Sequence, residues 1–236
     1  MNQVDELKKE LHKHANAEKA KFFPRFFKAG KGEYAEGDKF IGVTVPRSRL
    51  VAKQFKDLSL NDIETLLYSP IHEERLVALL ILVTRFKKGD EKIQTEVFDF
   101  YLSHTKQVNN WDLVDLSAPN IVGMYLLDRP RGQLYKLARS TNLWEKRITI
   151  VATHRFITNG ECEDTFSIAE LLLHDKHDLI HKAVGWMLRE VGKRVSREKE
   201  EEFLKKHYKT MPRTALRYAI EHFEEEKRKS YLLGTI

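Results

Sequence analysis

Four residues between Ile180 and Lys193 are spaced to grip a polyanion. Lys182, Trp186, Arg189 and Lys193 follow at intervals of four, three and four, so on a helix they share one face; Ile180, Ala183, Val184, Met187, Leu188 and Val191 share the other. The apolar face is core. The opposite face is a basic stripe with an aromatic in it, suited to holding phosphates while offering a flat surface to a base or sugar. The competing reading is a solvated cationic face with Trp186 tucked against a neighbouring segment. A second pairing lies mid-chain, in Asn109-Asn110-Trp111-Asp112-Leu113-Val114-Asp115. With the asparagines as N-cap candidates, Trp111 and Asp115 stand one helical turn apart on one face. Tryptophan is usually buried and aspartate usually is not, so a face carrying both suggests a half-open surface. The alternative is a packed tryptophan beside an ordinary surface aspartate. Asp112, near the helix start, reads as a capping residue.

Other reactive types lead nowhere. His177 and His181 could reach a shared metal with His174 nearby, but no further ligand and no His-Glu-x-x-His pattern accompanies them. Neither a metal nor a cofactor is expected. Cys162 has acidic neighbours, Glu161, Glu163 and Asp164, which raise a thiol pKa and disfavour a nucleophile. The stretch Gly30 to Gly42 lacks the lysine-plus-hydroxyl ending of a phosphate loop and reads as a glycine-assisted connection.

The elements that must position these residues are helices. Asn2 to Lys28 reads helical, with the aromatic patch Phe22-Phe23-Pro24-Arg25-Phe26-Phe27 near its end. From Val45 onward the segments are amphipathic, without the alternation of strands. Leu66 to Phe86, Ala138 to Ile157, Leu173 to Val191 and His207 to Phe223 repeat one layout: helix end, polar turn, cation, apolar helix. Aligned on Arg75, Arg147, Lys182 and Arg217, they leave room for one more unit, whose second helix should begin near Trp111, at a period of 35 or 36 residues. Such a period implies stacked helical hairpins. In this register Trp111, Asp115, Arg147, Lys182 and Trp186 fall into one strip along the second helices, which in solenoids commonly line the concave side. Trp144 reads as hairpin packing, and Arg147 could equally be a structural repeat position. The expected fold is all-α: a curved HEAT-like helical-repeat solenoid with a concave basic groove, in a single domain over 1–236. It comprises N-terminal helices to about 60, repeats over about 61–225 and a tail over about 226–236.

A formal charge of +6 and a pI near 9.2 favour polyanionic partners, with placement mattering more than total. One cysteine, Cys162, allows no intrachain disulfide, which points to a reducing compartment. No apolar run is long enough for a membrane span, and the start lacks a signal peptide's apolar stretch. A cytoplasmic protein is expected, with no membrane and no obligate protein partner, acting as a monomer.

Taken together, Asn109 to Asp115, Asn142-Leu143-Trp144-Glu145-Lys146-Arg147, His181 to Glu190, and Gly37 to Pro46 resemble the AlkD-like DNA alkylation-repair family over about Phe22 to Phe223. The resemblance implies a monofunctional DNA glycosylase that excises positively charged N3- or N7-alkylated purines from duplex DNA, hydrolysing the bond while the lesion stays in the duplex rather than rotating it into a pocket. Carried over by position, it assigns the catalytic carboxylate to Asp115, active-site tryptophans to Trp111 and Trp186, and an active-site arginine to Arg147. DNA contacts are expected from Lys182, Arg189, Lys193, Phe26 and Arg47. Phe26 stands where the family's best-known members have a tyrosine, so that hydroxyl is missing. Two alternatives are a non-catalytic DNA-binding solenoid recognising distorted or branched DNA, and a protein-binding scaffold.

Overall fold

The structure, a computed structural model, describes residues 2–236, all-α as expected; among them no strand occurs, only a lone parallel bridge between Lys39 and Ile71. Two compact units divide the chain, the first reaching Ile121 and the second running Val122–Ile236.

The first unit holds α1 (Gln3–His12), α2 (Ala17–Phe26), α3 (Val45–Gln54), α4 (Leu60–Leu67), α5 (His72–Lys88), α6 (Glu91–Ser103) and α7 (Trp111–Ser117). Asn2 to Lys28 is two helices, not one. Asn16 breaks the run because its side chain caps the Lys19 N–H while its own N–H goes to the Ile41 carbonyl. The stretch Gly30 to Gly42 is indeed a connection. At its end Gly42 takes a left-handed φ of +81°, and a Cβ there would lie 2.1 Å from the Asn16 carbonyl oxygen. α5 is the centre of this unit, packing on α3, α4, α6 and α7, and it is buried from His72 through Val83. That burial includes four polar side chains in a row, His72, Glu73, Glu74 and Arg75, so each needs partners. Glu73 accepts the backbone N–H groups of Ile41, Gly42 and Val43 at 2.8–3.2 Å, which pins the connection to the start of α5.

α7 is short for a physical reason. Pro119 has no N–H to offer the carbonyl four residues back, at Asp115, and the chain widens into a π turn over Pro119–Gly123. At its other end the N-cap is Asn110, whose side chain accepts the Trp111 N–H at 2.8 Å.

The second unit contains α8 (Gly132–Ala138), α9 (Leu143–Ala152), α10 (His154–Thr158), α11 (Glu163–Leu172), α12 (Asp178–Arg194), α13 (Arg197–His207), α14 (Arg213–Ala219) and α15 (Glu225–Leu233). Here α12 is central, against α9, α11, α13 and α14. Gly185 permits the approach of α14: a Cβ would stand 2.3 Å from the Ala215 carbonyl oxygen. Trp144 is buried, as hairpin packing requires. The stretch read as a tail forms α15, whose Tyr231 is buried against the rings of Tyr208 and Phe223. Within the units the hairpins α4–α5, α8–α9 and α11–α12 match the repeat layout. No helix among the described residues is long and apolar enough to cross a membrane.

Candidate functional site

In the first unit the site grows from the first turn of α7. Trp111, its first residue, lies almost parallel to Phe27, with centroids 5.6 Å apart at 23°, and edge-on to Phe26 at 5.7 Å. The aromatic patch at the end of α2 is therefore the bed of the indole. Phe26 itself is 49% exposed and stacks on Phe22. Trp111 and Asp115 are both partly open to solvent. Asp115 also acts on Tyr101: burial pushes that phenol's pKa up, and the nearby Asp115 charge adds to the shift. Arg47 is exposed on α3.

Beneath Trp111 lies a buried charge network that the sequence did not announce. Asp112 is not simply a capping residue: its Oδ2 meets His72 Nε2 at 2.8 Å. The other His72 nitrogen faces Asp38 at 3.4 Å, and Asp38 also accepts from Arg75 at 2.5 Å. The His72 ring packs beside Phe27 at 4.8 Å and Phe40 at 5.0 Å, which stack on each other at 5.2 Å. Burial by itself would lower the pKa of this histidine, but the charge and hydrogen bond of Asp112, with the bond to Asp38, outweigh it and push it up to about 9. His72 is thus an imidazolium at neutral pH, tying the start of α5 to the start of α7. The one available sequence signal was the block His72-Glu73-Glu74-Arg75 heading an otherwise apolar helix.

In the second unit α12 carries the basic stripe as expected, with Lys182, Trp186 and Arg189 partly exposed and Lys193 exposed. Its cations are not all unopposed. Lys182 pairs with Asp178 at 2.7 Å, and Arg189 pairs with Glu221 and, at 3.6 Å, with Glu190. Trp186 faces His154, centroids 6.1 Å apart. Arg147 is only 5% exposed and donates from Nη1 to the Leu179 carbonyl at 2.6 Å, tying α9 to the first turn of α12. Arg75 does the same kind of work in the first unit, donating to the Ser69 carbonyl at 2.9 Å. Both repeat arginines are therefore structural in at least one of their bonds. The helix starts also shift the register: Arg147, Lys182 and Arg217 are fifth residues of their helices, a place that Asp115, not Trp111, holds in α7.

The remaining candidates have local roles. His177 Nδ1 accepts the Leu179 N–H as an N-cap, and His181 Nε2 donates to the Asp175 carbonyl. Cys162 is buried, which together with Glu163 raises its pKa.

A family profile described as DNA alkylation repair enzyme matches residues 7–223. The chain belongs to that family. Membership carries a role in DNA alkylation repair, as an enzyme with DNA for its substrate. The fold agrees with a solved protein from Enterococcus faecalis, described as a predicted DNA alkylation repair enzyme. It is 17% identical, with a TM-score of 0.69 over 90% of this chain and 98% of that one. Curated proteins gave no match.

Proposed function

We propose that this member of the DNA alkylation repair family is a monofunctional glycosylase. It hydrolyses the N-glycosidic bond of cationic N3- or N7-alkylated purines in duplex DNA, with Asp115 as the catalytic carboxylate. The observation that supports this best is the exposed side of α7, where an indole bedded on Phe27 and a carboxylate one turn on are both open to solvent. An alkylated purine already carries positive charge, so it departs without the general acid that ordinary glycoside hydrolysis needs. A single carboxylate then suffices. As the bond lengthens, Asp115 stabilises the cationic sugar and orients the attacking water. The electron-rich faces of Trp111 and Trp186 favour a cationic partner. Lys182, Arg189 and Lys193 supply phosphate contacts, and Arg147, through its bond to Leu179, holds the start of the helix that bears them.

Base release from N-methylated duplex by wild type and Asp115→Asn tests the assignment. A loss of about 10²–10³-fold is expected, the scale for removing one electrostatic stabiliser of a transition state; equal release by both proteins would overturn it. A second reading, a DNA-binding protein without catalysis, is favoured by Phe26 in place of a hydroxyl-bearing residue and by the carboxylate partner of Arg189. It calls for salt-dependent binding with no released base.

A further inference from the structure

The first unit carries a second cationic surface that the proposed chemistry does not use. Between α3 and α5 runs a groove of about 390 Å³ whose floor is Ala52, Leu80 and Val83 and whose rim is Arg49, Lys53, Lys56, Lys87 and Lys88. A second hollow of about 270 Å³ adjoins it, sharing Lys56, Thr84 and Lys88 and adding Asp57 and Arg85, the latter paired with Glu96 at 3.2 Å. The two together lie along the last turns of α5. At 1.5 Å per residue, Lys87 stands about 22 Å along the helix from His72, the residue that meets α7.

The charges along these hollows are poorly offset. Among the described residues Arg49, Lys53, Lys87 and Lys88 have no carboxylate partner, and Lys56 has only its neighbour Asp57, at 3.7 Å. On α12, by contrast, Lys182 and Arg189 both have one. Helix dipoles account for part of the pattern, since Lys53, Lys87 and Lys88 lie in the last turns of α3 and α5, where cations are favoured. They do not account for Arg49, in the middle of α3, or for Lys56, beyond its end. Like charges gathered around one groove repel, and the arrangement is relieved by an anion that reaches several of them at once. A phosphodiester chain, which repeats its charge along its length, can meet several of them together.

We infer that the α3–α5 groove is a second DNA-backbone site, which holds phosphates of duplex away from the residues around Asp115. This rests on the protein being a DNA-acting enzyme, but not on Asp115 being its catalyst. Lys53, Lys87 and Lys88 are exposed.

The experiment is anisotropy of a labelled, unmodified duplex of about 20 base pairs, titrated from about 50 to 200 mM salt, with wild type and the triple variant Lys53→Gln, Lys87→Gln, Lys88→Gln. The variant should bind at least about tenfold more weakly at the lowest salt, and its log–log salt slope should be shallower by up to about 2.7, at about 0.9 for each phosphate left without its lysine. Neutralising the exposed Lys92, Lys136 and Lys205 should change both far less, and Lys→Arg at the three groove positions should keep the binding. Circular dichroism of the glutamine variant should match wild type. If wild type binds but the triple variant keeps its affinity and slope, the groove is not a DNA site, and Asp115 chemistry is unaffected. If the variant instead loses affinity for phosphatidylserine vesicles while keeping that for DNA, the groove is a lipid surface and the inference is overturned. A wild type that binds no DNA overturns both this inference and the proposed function.

Discussion

The His72–Asp112 pair should make the protein's stability fall with alkaline pH in a way one substitution removes. His72 is 2% exposed and its pKa is raised from 6.5 to about 9, a difference worth about 3 kcal/mol. Between those values the folded protein holds a proton that the unfolded chain has released. Stability from this group is therefore complete below pH 6.5 and declines as pH rises, by about 1.4 kcal/mol per pH unit, until it is gone above about 9. Asp112→Asn removes the charge that contributes most to raising the pKa, leaving the bond to Asp38 against burial and the Arg75 charge, so the slope in the variant should be much shallower. Urea unfolding followed by circular dichroism from pH 6 to 9.5 gives the two profiles. Asp112→Asn should start about 3 kcal/mol below wild type at the acid end, where a buried pair has lost one partner. The curves should converge near pH 9, where wild type retains Asp112 with no imidazolium beside it. Parallel profiles across this range would refute the pair as an ion pair, and with it the electrostatic tie between α5 and α7.

Further expectations follow from other buried groups. Burial pushes the Glu200 carboxyl up to about 8 against the pull of Arg197, so the fold takes up a proton there and loses stability as pH rises from 4.5 to 8. Glu200→Gln should thus gain a few kcal/mol over wild type at pH 8 and nothing at pH 4.5, as read by urea titration. Arg147→Met should lower unfolding free energy by about 2 kcal/mol, because the Leu179 carbonyl loses a charged donor; unchanged stability would mean that this bond does not hold α9 to α12. Glu73→Ala strips the acceptor from the N–H groups of Ile41, Gly42 and Val43 and should cost about 3 kcal/mol or more, with amide exchange accelerated at those three residues.

Helical class, the α12 stripe and the start of α7 were legible in the chain because each is a local matter. Periodicity places Ile180 and Val184 opposite Lys182 and Trp186 whatever surrounds them, and Asn110 caps through its own neighbour's N–H. The repeat spacing was legible too, though it aligned Trp111 where the helix starts align Asp115, because a count along the chain cannot see where a cap begins a helix. Tertiary structure alone decided the partners. Nothing near residue 72 says that its imidazole will find Asp38 and Asp112, which lie 34 and 40 positions away. Nor does residue 147 disclose that its guanidinium will be spent partly on the carbonyl of Leu179. Charge type and helical phase belong to the sequence; whether a cation faces a carboxylate, a carbonyl or open water depends on which helices burial brings together, and that is a property of the folded chain.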